Sequence, residues 1–412
     1  MKSPFRFRQW LIFPQEIIAR PGVVIGEAGS GKTETLLRLA YLTAAIYHYD
    51  VVFLDAKGDR ATAARFVAAM RQAGKQRVKV FPCSPYYGWK GDADALFNRL
   101  MAVQSYSEEY YHNIARLLLS LALHVPGGPP RSSRDLLENL TLDALRVRYR
   151  GHYEASEIER VTDKDANGVY NRYRAFFSML QGKLDRGFTF DETDAAYILL
   201  DGIAFREETG SIGRYLMEDI AHYIARRKPA VQKVLIIIDE VSALAIDNIA
   251  NLAERLRSFG GAMLLSSQSQ QGLARTQDER DRILGTAHTL ILHTCNAPER
   301  LIERAGKHKQ VRAGWSVRDQ AGTGYGTMQL QDEYVVPPDD VRRLDVGEVY
   351  LIANGYGQQG RVAPLKLSPE VMRQAFDFLD SEEAISRPLL TSTTPPPGQE
   401  EDSTPPPPAD SL

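Results

Sequence analysis

One eight-residue segment constrains the fold of this chain more than any other part of it: Gly26, Glu27, Ala28, Gly29, Ser30, Gly31, Lys32 and Thr33. It matches the pattern G-x-x-x-x-G-K-[ST], follows the apolar run GVVI and precedes a segment with helical periodicity. Glycines in such a loop let successive backbone N–H groups point at phosphates beside the helix N-terminus. Lys32 is then expected to reach the β- and γ-phosphates and the Thr33 hydroxyl to ligate Mg²⁺. The segment predicts a strand–loop–helix unit that binds ATP and Mg²⁺, with Glu34 as the last residue of the binding loop.

Apolar runs alternate with helical periodicity on both sides of this unit. The runs that predict strands are VVFLDA, VKVF, AAYILLDGIA, KVLIIIDE, AMLLSSQ, TLILHT and GEVYLIANG. Nearly continuous apolar content is typical of a parallel sheet that is buried on both faces. We therefore predict an α/β fold of the RecA-like P-loop NTPase class with a mostly parallel central sheet, formed by residues 1–95 and 195–378. GEVYLIANG is expected at the sheet edge, the N-terminus as an opening strand, and GTGYG near residue 322 as a turn.

Two segments depart from the α/β pattern. Residues 96–194 have apolar residues at spacings of three and four throughout, which predicts an inserted all-α domain. Residues 379–412 hold acidic residues and proline runs, with eight of the 22 prolines from Pro388 onward. Because such a composition buries too little apolar surface to fold, we predict a disordered, Pro-rich, acidic tail.

The run VLIIIDE (234–240) ends in two acidic residues at the carboxyl edge of its predicted strand. Ligands bind at that edge in open α/β sheets. Asp239 is expected to hold Mg²⁺ through water, and Glu240 to polarise the attacking water as a general base. The alternative is a pair of acids that caps a helix.

Three further features lie beside the predicted strand ends. Gln268, which ends AMLLSSQ, is expected to sense the γ-phosphate, or else is an ordinary polar residue at a strand end. Arg257 precedes that strand and is a candidate arginine finger for a neighbouring subunit, although solvated-surface or phosphate-backbone roles remain open for it and its neighbouring arginines. The segment LDAKGD (54–59) ends the strand after the P-loop helix, either facing the nucleotide or capping a loop.

Composition limits the other function classes. The chain has two cysteines, far apart in sequence, so neither a disulfide framework nor a zinc site is indicated, and a reducing cytoplasm is expected. No apolar run approaches the roughly 18 residues of a membrane span. The net charge is −2, but residues 381–412 carry −5, which leaves +3 on the rest of the chain. A charge this small neither supports nor excludes binding to DNA.

The segments GEAGSGKT, VVFLDAKGD, WKGDADALFNRL, VLIIIDEVSAL, ERLRSFGGAMLLSSQSQQGL and DDVRRLDVGEVYLIANG together resemble the TraG/TraD-type conjugative coupling proteins of type IV secretion, within the HerA/FtsK superfamily. The resemblance covers residues 20–365 in consistent order. It implies an ATPase that pumps DNA through a ring, usually hexameric, with ATP between subunits and relaxosome or secretion-channel proteins as partners. It assigns Lys32 and Thr33 to Walker A, Asp239 and Glu240 to Walker B, Gln268 to the third motif, and Arg257 to the inter-subunit finger.

Family members usually carry transmembrane helices before the P-loop, and this chain has about 25 residues there. We therefore expect a cytoplasmic coupling-protein-like DNA translocase, with attachment to the inner membrane through a partner as an alternative. Two other functions remain open. One is a HerA-like translocase or helicase that acts with a nuclease in repair or phage defence, and the other is a scaffold whose assembly ATP controls.

Overall fold

The computed structural model describes residues 10–106, 108–200, 209–226, 233–244, 249–259, 261–318 and 321–386. Within them, the strands are β1 (Gly22–Ile25), β2 (Asp50–Asp55), β3 (Val78–Phe81), β4 (Ala195–Leu199), β5 (Val234–Asp239), β6 (Gly261–Ser267), β7 (Thr289–Leu292), β8 (Lys307–Arg318), β9 (Ala321–Tyr334), β10 (Glu348–Ala353) and β11 (Tyr356–Arg361). The helices are α1 (Gln15–Ile18), α2 (Lys32–Tyr47), α3 (Arg60–Gln72), α4 (Ala93–Val103), α5 (Glu109–Leu123), α6 (Ser133–Asn139), α7 (Leu142–Arg148), α8 (Ala155–Ile158), α9 (Asp163–Leu180), α10 (Thr209–Arg226), α11 (Val241–Leu244), α12 (Ile249–Ser258), α13 (Gln277–Thr286), α14 (Glu299–Ile302), α15 (Pro338–Arg342) and α16 (Pro369–Ser386).

The strands of the described residues form one nine-stranded sheet and one separate hairpin. The order in the large sheet is β11-β10-β7-β1-β6-β5-β2-β4-β3. All neighbours from β7 to β3 run parallel, whereas β10 is antiparallel to both β7 and β11. The predicted α/β fold with a mostly parallel central sheet is therefore confirmed.

Alternate residues of the central strands enter two different cores. Val52, Leu54 and Ile236 belong to one buried cluster, while Phe53 and Ile237 belong to the other. Because successive side chains of a strand point to opposite faces, each face of the sheet carries its own hydrophobic layer. Helices α2, α3 and α16 pack on one face, and α4 to α10 with α12 and α13 cover the other.

The edge of the sheet differs from the sequence prediction. The run 347–355 forms β10, which is an internal strand because β11 pairs on its outer side. Asn354 and Gly355 join the two strands with positive φ angles of 53° and 77°. A two-residue Asn-Gly connection of this kind is the usual turn of a β-hairpin, and the following polar residues concealed the edge strand in the sequence.

The N-terminal prediction is also corrected where the structure describes it. Residues 1–9 lie outside the described part, Trp10 forms an isolated bridge with Arg361, and the chain then turns into the short helix α1. Pro14 is the N-cap residue of that helix. A proline is tolerated at a helix start, where its missing N–H costs no intrahelical hydrogen bond. Within the described residues, the segment adds one bridge to the sheet edge and no strand of its own.

Between β3 and β4 the described residues form the helices α4 to α9, joined by loops, with isolated bridges at Tyr86 and Tyr87. Helices α4 to α9 share one buried cluster with the sheet face and with α10. Arg99 on α4 is fully buried, and one of its amino groups lies 2.6 Å from the carboxylate of Asp219 on α10. The boundaries of a separate domain at 96 and 194 stay a prediction. No helix in the described ranges is long and apolar enough to cross a membrane.

The folded chain continues beyond residue 378, where the sequence predicted the tail to begin. Helix α16 extends to Ser386, and its Leu379 is fully buried. Glu382 lies 3.0 Å from the Lys79 ammonium, and Glu383 lies 2.8 Å from the guanidinium of Arg60. Two of the acids that suggested a solvated tail, Glu382 and Glu383, are thus partners of basic residues on β3 and α3. Residues 387–412, the rest of that tail, lie outside the described residues.

Strands β8 and β9 form a long antiparallel hairpin that the sequence reading missed. The GTGYG segment, predicted as a turn, lies within β9. Val311 is opposite Leu330, and both side chains are largely exposed. Because glycines and polar residues interrupt both strands, the alternation that marks a half-buried strand is weak in this part of the sequence.

Candidate active site

The predicted phosphate loop joins β1 to α2. Gly29 and Gly31 have φ angles of 77° and 100°, a region that favours glycine, and Gly31 is the N-cap residue of the helix. The Lys32 ammonium donates to the carbonyl oxygens of Gly26 at 2.5 Å and Glu27 at 2.9 Å. Burial lowers the pKa of Lys32, and the negative charges of the nearby carboxylates oppose that shift. The loop therefore holds one desolvated cation beside the helix N-terminus.

His293 directly follows β7 and hydrogen-bonds to the phosphate loop. It was not singled out in the sequence. Its Nδ1 lies 3.0 Å from the Ser30 carbonyl and its Nε2 lies 3.1 Å from the Thr35 hydroxyl. A carbonyl can only accept, so Nδ1 carries the proton and Nε2 accepts from Thr35. Burial lowers the pKa of His293 to about 4, which keeps the ring neutral at pH 7. Residue 26 must lack a side chain, because a Cβ there would lie 2.4 Å from the His293 Cβ.

The Ser30 carbonyl receives a second donor from the far end of the chain. The backbone N–H of Gly347, just before β10, lies 3.2 Å from it. Thr294, next to His293, donates its hydroxyl to the carbonyl of Leu344 at 2.6 Å. The phosphate loop is thus held between β7 and the turn that precedes β10.

The strand order brings the two predicted motifs together. β6 pairs with both β1 and β5, so one strand separates the phosphate loop from Asp239. The Thr33 hydroxyl donates to the Asp239 carboxylate at 2.8 Å, across 206 residues of sequence. A hydroxyl and a carboxylate oxygen at this edge are hard oxygen ligands of the kind that Mg²⁺ prefers. The donor set therefore fits Mg²⁺ at the predicted positions.

Glu240 follows β5 and is held by three donors. Its Oε1 accepts from the Ser242 hydroxyl at 2.7 Å, and its Oε2 accepts from the Gln268 side-chain amide at 3.1 Å. The Lys57 ammonium lies 3.4 Å from the same Oε2. Glu240 has a φ of 59°, which is uncommon for a residue with a side chain. Of these residues, the sequence singled out Glu240, Gln268 and the LDAKGD segment that contains Lys57, but not Ser242.

Lys57 reaches Glu240 from the loop that follows β2. Asp55 accepts the backbone N–H of Lys57 at 3.0 Å and the hydroxyl of Tyr197. Burial, and then the charge of the neighbouring Asp239, raise the pKa of Asp55 to about 6. A Cβ at Gly58 would lie 1.9 Å from the Asp55 carboxylate. Only glycine therefore fits at 58, and the loop is built around the Asp55 side chain.

Other predicted residues are placed differently. The Glu34 carboxylate lies away from the phosphate loop, where it pairs with Arg65 and accepts the backbone N–H of Leu365 at 2.7 Å. Arg257 is on α12, but its side chain is outside the described part of the structure. Asp59 accepts the N–H of Thr62 at 2.7 Å, so it caps α3, as one of the two readings of its loop proposed.

A cleft of about 320 Å³ opens beside the phosphate loop. Its lining includes Glu27 and Ala28 from the loop, Gln268 after β6, and Cys295 after β7. It therefore lies along the carboxyl ends of β1, β6 and β7, the edge at which open α/β sheets bind ligands.

A mostly parallel sheet with a phosphate loop after one strand, acids after another, and a single strand between them defines the RecA-like class of P-loop folds. No protein-family model and no curated protein sequence matches the chain. Among solved structures, it is similar to the bacterial conjugative coupling protein TrwBΔN70 in an unbound form, with a TM-score of 0.62 and 18% identity over 88% of this chain and 90% of that one.

Two other solved structures give the same result. TrwB in complex with ADP and Mg²⁺ matches with a TM-score of 0.61 and 17% identity, over 88% of this chain and 91% of that chain. VirB4 of Thermoanaerobacter pseudethanolicus matches with a TM-score of 0.54 and 12% identity, over 85% and 90% of the two chains. At these identities the likeness is one of fold. It confirms, at that level, the resemblance to coupling proteins that the motifs indicated.

Proposed function

We propose that this protein is an ATPase that uses Mg²⁺ and couples hydrolysis to the movement of DNA, in the manner of a conjugative coupling protein. The observation that carries the proposal is the 2.8 Å contact between Thr33 and Asp239, with Glu240 next in sequence. Thr33 lies after β1 and the two acids lie at the end of β5, which is not its sequence neighbour, and these groups meet at the edge where open α/β sheets bind ligands.

Each residue of the site has a role in this proposal. The backbone N–H groups of residues 26–34 and the Lys32 ammonium bind the phosphates, and Thr33 with Asp239 holds the metal. Mg²⁺, when bound, neutralises charge that develops on the phosphates. Glu240 orients a water molecule and takes its proton, and Gln268, already bonded to Glu240, senses the terminal phosphate. The neutral amide of Gln268 can hydrogen-bond to the terminal phosphate without adding charge to the site.

The coupling to DNA and the assembly belong to the same proposal. TrwB is described as a conjugative coupling protein and VirB4 shares the fold, so we propose a homo-oligomer, a hexameric ring, with DNA in its channel. Arg257 would then act on the nucleotide of a neighbouring subunit. Relaxosome or secretion-channel proteins are the proposed partners, in the cytoplasm or at the inner membrane through one of them.

ATP turnover of the purified chain tests the proposal, measured without DNA and with single- or double-stranded DNA at low and moderate salt. Lys32→Ala should abolish turnover, since the phosphates lose their cation. Glu240→Gln should keep nucleotide binding but stop hydrolysis, since an amide cannot take a proton. Lys90→Ala and Glu370→Gln are matched controls, at a half-exposed and an exposed residue that pair with Asp191 and Arg373, and both variants should turn over normally.

Normal turnover in Lys32→Ala or Glu240→Gln would reject the site. Stimulation by DNA would support the motor, and the strand form that stimulates would be its substrate. Turnover indifferent to DNA would favour the scaffold, and activity that requires a nuclease partner would favour the HerA-like translocase. Mixed rings of Arg257→Ala and Glu240→Gln subunits should regain turnover if Arg257 acts across the interface.

A further inference from the structure

The Glu240 carboxylate is held more tightly than a free base requires. Of the about four acceptor positions of a carboxylate, Ser242 and Gln268 fill two with hydrogen bonds, and the Lys57 ammonium forms an ion pair with Oε2 at 3.4 Å. The Glu240 backbone is in the left-handed region, which persists in a residue with a side chain only when the surroundings hold it there.

Of the three donors, Lys57 differs in its origin and its exposure. Ser242 and Gln268 follow β5 and its neighbour β6, whereas Lys57 belongs to the loop after β2. The Lys57 side chain is 55% exposed and the Glu240 side chain is 9% exposed. A flexible, half-exposed ammonium gains little net free energy from an ion pair, so it is the donor most easily withdrawn.

The loop that carries Lys57 is nevertheless well defined. The Asp55 carboxylate accepts the N–H of Lys57, Gly58 leaves room for that carboxylate, and Asp59 caps α3. The backbone at 57 is therefore fixed, whereas its side chain is half exposed and is held only by the ion pair among the contacts described. This combination is suited to a contact that forms and breaks without rearranging the sheet.

We infer that Lys57 is a positioning residue that holds Glu240 in a resting orientation, and that the base takes a proton from water only after Lys57 withdraws. The inference rests on the proposed ATPase function. It adds regulation to that site, since anything that pulls Lys57 away would raise turnover. Lys57 is not itself required to touch the reacting atoms.

Turnover of three variants tests the inference in the full chain. Lys57→Met should raise kcat about two- to fivefold with KM unchanged, since the ion pair of a half-exposed lysine is worth no more than that. Lys57→Arg, which keeps the charge, should return the rate to that of the natural protein. Lys90→Met removes the lysine of another exposed pair and should change nothing. An unchanged or lower kcat in Lys57→Met would overturn the inference.

A second measurement needs no activity. The rate at which acetic anhydride modifies Lys57 is followed by peptide mass spectrometry in the nucleotide-free protein and in Glu240→Gln. Because the ion pair protects the amine, Lys57 should react about two- to fivefold faster in Glu240→Gln, with Lys90 as the internal standard. Equal rates would show that the pair does not form in solution. If Lys57 is protected but the protein shows no ATP turnover, the proposed function is rejected while the ion pair between Lys57 and Glu240 is supported.

Discussion

Replacing His293 by alanine tests whether the phosphate loop depends on its buried support. The Ser30 carbonyl would lose one of its two donors and keep the Gly347 N–H, at a cost of about 1 kcal/mol. The Thr35 hydroxyl would lose its acceptor, and the fully buried ring would leave a void. Because Thr35 can turn to a carbonyl of its own helix, we expect a total loss of about 2–4 kcal/mol in the free energy of unfolding.

The same side chain predicts a pH dependence with a definite sign. Its pKa in the folded protein is about 4, against 6.5 for a free imidazole, so the unfolded chain takes up the proton first as pH falls. The contribution of His293 is complete above pH 6.5 and is lost as pH falls toward 4, by about 3 kcal/mol in all. Asp55, whose pKa is raised to about 6, titrates over the same interval with the opposite sign.

Urea unfolding of the natural protein, His293→Ala and the exposed control His152→Ala, followed by circular dichroism from pH 4.5 to 8, measures both effects. The difference between the natural protein and His293→Ala removes the contribution of Asp55, which both contain. That difference should be 2–4 kcal/mol at pH 7.5 and should shrink as the medium becomes acidic. A loss below about 1 kcal/mol, or a difference that stays constant with pH, would refute the proposed support of the loop.

Two further predictions concern packing away from the site. Arg99→Met should lower the free energy of unfolding by about 3–5 kcal/mol, because Asp219 stays buried without its cation. Combining Arg99→Met with Asp219→Leu should recover most of that loss. Equal losses in the single and double variants would contradict this expectation. On α16, Leu379→Ala should cost about 2–4 kcal/mol, whereas Glu382→Gln with Glu383→Gln should cost about 1 kcal/mol, since their ion pairs are partly exposed. Urea unfolding measures both series, and a larger loss from the glutamate pair would show that charge anchors the helix instead of packing.

The sequence could predict the parts of the site that consist of neighbouring residues in a recognisable pattern. Gly26 to Thr33 and the acids after VLIIID have local patterns, and a parallel sheet places their ends at one edge, which the Thr33 contact to Asp239 bears out. His293 could not be found in this way, and for Lys57 the sequence left open whether its segment faces the nucleotide or caps a loop. The partner of each residue lies more than 180 positions away in the sequence.

The errors of fold prediction have a related physical cause. The β8–β9 hairpin and β11 contain glycine and polar residues, so the apolar signal of a buried strand is missing from their sequences. For β11 the structure shows why, since most of its residues are not buried. Glu382 and Glu383 have the composition of a solvated tail, yet they belong to helix α16 and pair with Lys79 and Arg60. Only the tertiary structure shows where such residues find their partners.

The hydrogen bond between Gly347 and Ser30 has a consequence for the synthesis of the protein on the ribosome. The phosphate loop lies near the start of the chain, but its supports at 293 and 347 are synthesised much later. A nascent chain that has exposed only its first 290 residues already contains both nucleotide motifs and still lacks the contacts that hold the loop. Chains that end before residue 293 should therefore bind nucleotide more weakly than chains that include residue 347.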